Sequence, residues 1–172
     1  MRSIIKSLLA ATAGLVLSVA PAHARVEANT DELLNLLNTT GVSVTINDPQ
    51  YCNETTYGTY VFRGMQRQMN LCPGSTVDAI DHNTVRHETW HAIQHCVNTA
   101  RGTAPNTPVQ QDINELAEVV NTTLSSEVVN FIKANYSDDE LLIEFEAFAA
   151  AELFTATELI KLYTDACTAG GL

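Results

Sequence analysis

The sequence predicts a small α+β domain, in which a sheet of about three strands is followed by four to five helices. From residue 42 to residue 72, short runs alternate apolar and polar side chains, as half-buried strands do. From residue 84 onward, apolar residues recur at helical spacing between capping signals. We therefore expect a small antiparallel sheet and a predominantly helical C-terminal half.

The first 24 residues have the pattern of a secretory signal peptide. Arg2 and Lys6 precede a short apolar stretch, and Pro21-Ala22-His23-Ala24 ends the segment with an A-x-A cleavage site. A retained membrane anchor is the alternative, but the stretch is too short to span a bilayer comfortably. We expect residues 25–172 to form one domain of an exported protein, periplasmic or secreted, with no membrane segment after signal cleavage.

The charge balance excludes two classes of partner. Without Arg2 and Lys6, the chain carries 7 basic and 20 acidic residues, a formal charge of −13. Nucleic acids and anionic membrane surfaces both select for clustered Lys and Arg. We therefore expect neither as a partner, and the composition leaves the oligomeric state open.

Three strands are predicted before residue 73. Val42-Ser43-Val44-Thr45-Ile46 is a β-branched alternating run that Asn47-Asp48-Pro49 ends, and two further runs cover residues 58–62 and 68–72. Pro73-Gly74-Ser75-Thr76 is predicted to end the sheet. A short amphipathic helix to about Asn38 precedes the strands, because Asn29-Thr30-Asp31-Glu32 resembles a capping box.

The helices are predicted from capping residues and apolar spacing. Asn83 is a candidate N-cap for a helix that runs to about Thr99. Apolar residues between Ile113 and Ile132 indicate one or two helices. Two more capping boxes predict the last two helices. Ser137-Asp138-Asp139-Glu140 precedes a helix over about 138–154, and Thr155-Ala156-Thr157-Glu158 precedes a helix through Tyr163.

The four cysteines predict two disulfides. An even number of cysteines is typical of exported chains with disulfides, whereas a cysteine metal site is disfavoured because no CxxC pair occurs. Of the three connectivities, we favour Cys52–Cys72 across neighbouring strands and Cys96–Cys167 between two helices.

The pattern HExxH occurs once, as His87-Glu88-Thr89-Trp90-His91. Histidines four residues apart on a helix lie on one face and can reach a single zinc ion. Glu88 lies at the flank of that face, where it can take a proton from a water molecule. His95 continues the stripe but stands about 12 Å from His87 along the axis, too far to bind the same ion. For His95 we consider a role in lining the cleft or an ordinary surface position.

Glu144 and Glu146 are the candidates for a third ligand. Both lie in the apolar stretch Ile143-Glu144-Phe145-Glu146-Ala147-Phe148, where a carboxylate needs a partner. They are about 200° apart around a helix, so we expect one to face the histidines and the other to face solvent.

HETWH followed by Glu144-x-x-Ala147 resembles the gluzincin branch of the zincin metallopeptidases, in which the third ligand is a glutamate on a later helix. The resemblance implies a zincin-like fold, a zinc ion held by His87, His91 and Glu144, and Glu88 as general base. Glu146 is the alternative ligand, because Phe148 stands where those families often carry the Asp or Asn that supports the site. The resemblance also implies that the strand Gln68-Met69-Asn70-Leu71 is an edge that pairs with a peptide substrate.

We therefore predict an exported zinc metallopeptidase that hydrolyses peptide bonds in peptide or protein substrates. Tyr136, Tyr163 and His95 are candidates for a donor to the substrate carbonyl oxygen. The first alternative is a non-catalytic, zinc-binding, partner-binding module on a peptidase-like scaffold. The second is a disulfide-stapled helical binding protein in which HETWH is accidental.

Overall fold

A computed structural model describes residues 30–64, 66–72 and 81–168. The predicted signal peptide, Asn29 of the first capping box and the predicted turn at residues 73–76 lie outside these ranges. Within them, no helix has the length and apolar character needed to cross a membrane.

The α+β class and the predominance of helix in the C-terminal half are confirmed. The described residues form six α-helices, more than the four to five predicted, and a short π-helical turn over Thr164–Thr168. The elements in chain order are α1 (Thr30–Thr39), β1 (Val42–Ile46), β2 (Gly58–Arg63), β3 (Gln66–Leu71), α2 (His82–Arg101), α3 (Ile113–Thr123), α4 (Ser126–Asn135), α5 (Leu141–Leu153) and α6 (Ala156–Tyr163).

The sheet is mixed, and the prediction of an antiparallel sheet is wrong. Its strand order is β1-β3-β2, with β3 antiparallel to β2 and parallel to β1. The segment between β1 and β2, residues 47–57, crosses the end of the sheet and leaves room for a third strand, which β3 then fills. Adjacent runs in the sequence indicate strands, but they do not show which strands are neighbours.

The disulfide Cys52–Cys72 fixes this crossing segment to the end of β3, as the sequence predicts. Two backbone hydrogen bonds support the same junction, since Asn47 N donates to Leu71 O at 2.8 Å and Cys72 N donates to Tyr57 O at 2.9 Å. The segment that leads into β2 is therefore held in place at its middle and at its end.

Helix α2 lies at the centre of the domain, between the sheet and α5. Its buried side chains join the main core, and Cys96 forms the predicted disulfide with Cys167. The N-cap is Asp81 and not Asn83, because the Asp81 carboxylate accepts a hydrogen bond from Asn83 N at 3.1 Å. The helix ends at Gly102, whose φ of 68° is the left-handed conformation that glycine adopts readily.

Helix α5 is buried on two sides. Ala147 and Ala150 face the main core, whereas Ala149 belongs to a second cluster with Leu116 and Ile132 of α3 and α4. The helix begins at Leu141, after a turn in which Ser137 Oγ donates to Glu140 Oε2, so its start is later than predicted. The capping box that begins α6, formed by Thr155 and Glu158, is confirmed.

Candidate metal centre

The two motif histidines face each other on α2. Their Nε2 atoms are 3.0 Å apart, and the rings meet edge to face with centroids 4.7 Å apart. His87 is 9% exposed, and the His91 side chain is almost as well covered. The four-residue spacing therefore brings the two imidazoles together on one face of the helix, as predicted from the sequence.

Glu144 of α5 supplies the third donor. Its Oε2 lies 3.3 Å from His87 Nε2, and its Oε1 lies 3.3 Å from His91 Nε2. Tetrahedral zinc with bonds of about 2.0–2.1 Å places its ligand atoms about 3.3–3.4 Å apart. The 3.0 Å between the two imidazole nitrogens, and the 3.3 Å from each nitrogen to a different oxygen of Glu144, are close to this spacing. His87, His91 and Glu144 thus form a cluster that can hold a metal ion.

The charges of this cluster favour a cation. Burial raises the pKa of Glu144, but the nearby imidazoles of His87 and His91 outweigh burial and lower it to about 2. Burial lowers the pKa of His91, but contact with Glu144 and Gln94 outweighs burial and raises it to about 9. In the metal-free protein, a proton on His91 therefore supplies positive charge at the position where a metal ion can bind.

Glu88 lies beside the cluster and is 4% exposed. Burial raises its pKa, although the imidazoles of His87 and His91 act in the opposite direction. Its Oε2 is buried without a hydrogen-bond partner among the described residues. A buried carboxylate oxygen without a donor is costly. A hydrogen-bond donor bound next to His87, His91 and Glu144 would offset this cost.

Gly58 of β2 lies against the Glu88 side chain. A methyl group at Gly58 would lie 2.7 Å from Glu88 Oε1 and 2.6 Å from Thr84 Cγ2, closer than real Cβ atoms come. Glycine is required here for close approach of a strand to a side chain, rather than for an unusual backbone conformation. Nothing in the sequence predicted this contact, since Gly58 appears there only as the start of a strand.

Glu146 is neither a ligand nor solvated, and both predictions made for it are wrong. It is 6% exposed and accepts hydrogen bonds from Trp90 Nε1, Gln94 Nε2 and the backbone nitrogens of Val109 and Gln110. The expectation that one of the two acids faces solvent failed because α5 is covered on both sides.

Gln94 was missed by the sequence analysis. It is fully buried, and its Oε1 lies 2.7 Å from His91 Nδ1. The available signal was weak, because a glutamine three residues after a motif histidine shares its helix face but usually lies at the surface.

The three predicted cleft residues have different positions. Tyr136, at the end of α4, lines the same cleft as His87 and Glu88. Tyr163 is fully buried in the main core and lies 2.8 Å from Thr40 Oγ1, so its prediction as a cleft residue is wrong. His95 packs one turn further along α2 against Phe62 of β2, with ring centroids 4.5 Å apart, and does not belong to the cluster.

The site opens into a cleft of about 700 Å³. The cleft is lined by the segment that leads into β2 together with Gly58 and Thr59, by Phe131 of α4, by Tyr136 directly after α4, and by Phe148 of α5. Burial and the carboxylates of Glu144 and Glu88 raise the pKa of Tyr136, so its phenol keeps its proton and can donate. Of the HExxH residues and Glu144, His87 and Glu88 line this cleft.

The strand beside the cleft is β2 and not β3. The prediction that Gln68–Leu71 is an edge strand is wrong, because β3 pairs with β1 on one side and with β2 on the other. The side chain of Asn70 is also occupied, since its Nδ2 donates to Thr59 Oγ1 at 2.9 Å. Among the described residues, β2 pairs only with β3, which leaves its other edge unpaired.

No known protein family, characterised protein or solved structure matches this chain. The function therefore has to be argued from the residues of the site.

Proposed function

We propose that the protein is a zinc-dependent hydrolase of peptide bonds, related in its site to the gluzincin metallopeptidases. One observation carries the proposal. Glu144, distant in sequence, lies 3.3 Å from the Nε2 atoms of both motif histidines, and the buried Glu88 lines a cleft together with His87. If the HExxH pattern were accidental, there would be no reason for a carboxylate from another helix to lie beside both histidines.

The donor set favours zinc. Two imidazole nitrogens and one carboxylate are a common ligand set of catalytic zinc, which keeps one further position open. When bound there, zinc supplies a Lewis acid that polarises a carbonyl group and makes a water molecule more acidic. His87, His91 and Glu144 would hold the ion.

Glu88 is proposed as the general base. Its buried Oε2 has no partner among the described residues and is suited to accept the proton of an attacking water. The same carboxyl group then returns the proton to the leaving amine, so that the C–N bond breaks as a carboxylic acid and an amine form, and the acid passes its own proton to the amine or to water. Gly58 holds Glu88 in place by close contact.

Tyr136 is proposed to donate to the carbonyl oxygen of the substrate. It is the remaining candidate of the three, because Tyr163 is in the core and His95 lies beneath β2. A phenol that keeps its proton can stabilise the negative charge that develops on this oxygen.

The unpaired edge of β2 is proposed to bind the substrate as an extended peptide. Backbone groups of Gly58 and Thr59 line the cleft next to Glu88 and can add a peptide strand to the sheet. This transfers to β2 the role that the resemblance implied for β3.

The two disulfides indicate a non-reducing compartment. Together with the predicted signal peptide, they support export to the periplasm or to the medium, where protein substrates are available. The strongly acidic composition gives no support for nucleic acid or anionic membranes as partners.

The test uses the chain from Arg25 to Leu172 with both disulfides formed. We expect about one zinc ion per chain and cleavage of a fluorophore-labelled denatured protein, blocked by a chelator. Glu88→Gln should retain zinc and lose cleavage. Cleavage that survives Glu88→Gln would exclude Glu88 as the base.

Two other outcomes distinguish the alternatives. Stoichiometric zinc with no cleavage of any denatured protein would favour the non-catalytic binding module. The absence of stoichiometric zinc at neutral pH would show that HETWH is accidental and would overturn the proposal.

A further inference from the structure

Glu146 is the hub of a buried hydrogen-bond network on the side of α5 away from Glu144. Its Oε2 accepts from Trp90 Nε1 at 3.2 Å, from Gln94 Nε2 at 2.9 Å and from Val109 N at 2.8 Å. Its Oε1 accepts from Gln110 N at 2.7 Å. All four partners are N–H donors, so the carboxylate fixes α2, α5 and the segment before α3 relative to one another.

The orientation of the Gln94 amide follows from these contacts. Its Nε2 lies 2.9 Å from Glu146 Oε2 and 3.0 Å from Ile143 O, and both of these atoms are acceptors. A rotated amide would bring its oxygen against two other oxygens in a fully buried position. The NH2 group therefore faces Glu146, and the Gln94 oxygen faces the opposite way.

The Gln94 oxygen meets His91. It lies 2.7 Å from His91 Nδ1, and an amide oxygen can only accept a hydrogen bond. His91 Nδ1 must therefore carry a proton. The other ring nitrogen, Nε2, is then the one that can lose its proton and bind a metal, and it points at His87 Nε2 and Glu144.

We propose that Glu146 and Gln94 are positioning residues of the metal centre, which fix the ring orientation and the tautomer of His91. This rests on the proposed function, because it concerns one ligand of the proposed zinc site. Glu146 orients Gln94, and Gln94 holds the Nδ1 proton of His91. The pair supports His91 by hydrogen bonds, whereas His87 is supported by the Phe148 ring, which packs on it edge to face.

The test compares Gln94→Met with a matched control on the same helix. Asn98 is also a fully buried amide of α2, and its Nδ2 donates to Pro105 O and Thr107 O. Asn98→Leu therefore removes a buried amide and loosens a neighbouring loop without any contact to His91. Both variants should unfold at lower temperature than the wild type.

Zinc affinity, measured by competition with a chromogenic chelator, should separate the two variants. We expect Gln94→Met to bind zinc about 10–100-fold more weakly, as is typical for loss of a partner of a ligand histidine. Asn98→Leu should bind zinc as the wild type does. Equal zinc affinity of a folded Gln94→Met protein would overturn the proposal.

Glu146→Gln tests whether Glu146 orients the Gln94 amide. We expect it to weaken zinc binding in the same direction, and the double variant with Gln94→Met should lose no more affinity than Gln94→Met alone, because Glu146 acts through Gln94. Independent, additive losses would contradict this order of action.

Nuclear magnetic resonance of the wild type with 15N-labelled histidine provides a readout that needs neither catalysis nor a folded variant. We expect a His91 Nδ1 proton that exchanges slowly, both in the zinc-loaded and in the metal-free protein. A metal-free His91 that is neutral and protonated on Nε2 would overturn the proposal. A wild type that binds no zinc but shows the Nδ1 proton would instead contradict the proposed function and leave the hydrogen bond established.

Discussion

Glu144 and Glu146 are two residues apart on α5, and both carboxylates are covered by protein. Glu144 lies 3.3 Å from the Nε2 atoms of His87 and His91, whereas Glu146 accepts four N–H donors on another side of the helix. Glu144 completes a cluster that can hold a metal ion, and Glu146 is linked through Gln94 to Nδ1 of His91.

Glu144→Gln should weaken zinc binding more than the loss of a residue that only hydrogen-bonds to a ligand, which typically lowers affinity about 10–100-fold. The reason is that a charged ligand oxygen is replaced by a neutral amide. Chelator competition measures the affinity. Glu118→Gln removes the same charge from the exposed face of α3 and should leave the affinity unchanged. Unaltered affinity in Glu144→Gln would show that zinc is held elsewhere.

The metal-free protein should lose stability as pH rises from about 6.5 through about 9. The pKa of His91 in the folded protein, about 9, lies above the value of 6.5 for the unfolded chain, so its contribution is fully present below 6.5 and is lost through 9. The pKa of Glu144, about 2 against 4.5, predicts a second loss as pH falls from 4.5 towards 2. Thermal unfolding across this pH range, with a chelator present, measures both losses.

The matched variant for the pH prediction is Glu144→Gln, which removes the charge that raises the pKa of His91. We expect its stability to change much less between pH 6.5 and 9. A wild-type profile that is flat over this interval would contradict the coupling between the two residues.

Gly58→Ala should lower kcat and leave zinc content unchanged. The added methyl group would lie 2.7 Å from Glu88 Oε1, so the proposed base must move. Steady-state kinetics with a quenched fluorescent peptide and metal analysis measure the two effects. The added methyl group would also lie close to Thr84 Cγ2, which Thr84→Ser removes. We therefore compare Thr84→Ser in the wild type and in Gly58→Ala. Full recovery of activity in Gly58→Ala with Thr84→Ser would attribute the defect to Thr84 instead of Glu88.

Tyr136→Phe should lower kcat by about 10²-fold, as removal of a donor to a developing oxyanion does, with zinc content unchanged. Tyr57→Phe is the control, because Tyr57 lines the same cleft but is 69% exposed. If both variants retain full activity, the donor to the carbonyl oxygen is a different group.

Local patterns in the sequence predicted much of the fold. The bounds of β1, the capping box of α6 and the helix that carries HETWH all depend on residues within one or two turns of each other, and all are confirmed. The pairing of the two histidines follows in the same way, because a four-residue spacing fixes their common face.

Errors arose where distant segments meet. The sequence shows three strands, but the insertion of β3 between β1 and β2 depends on how residues 47–57 cross the sheet, which no periodicity encodes. The assignment of the substrate edge to β3 failed for the same reason, and Tyr163 was placed in the cleft although it packs near Thr40.

The sequence by itself determined the chemistry that is present, which is two histidines and a glutamate on one helix, two acids on a later apolar helix, and cysteines in even number. Only the tertiary structure decided how these groups are used. It selects Glu144 by helix packing, occupies Glu146 with four donors and turns the oxygen of Gln94 towards His91. The physical reason is that burial and hydrogen-bond partners are set by contacts between elements, whereas periodicity reports only the face of a single element.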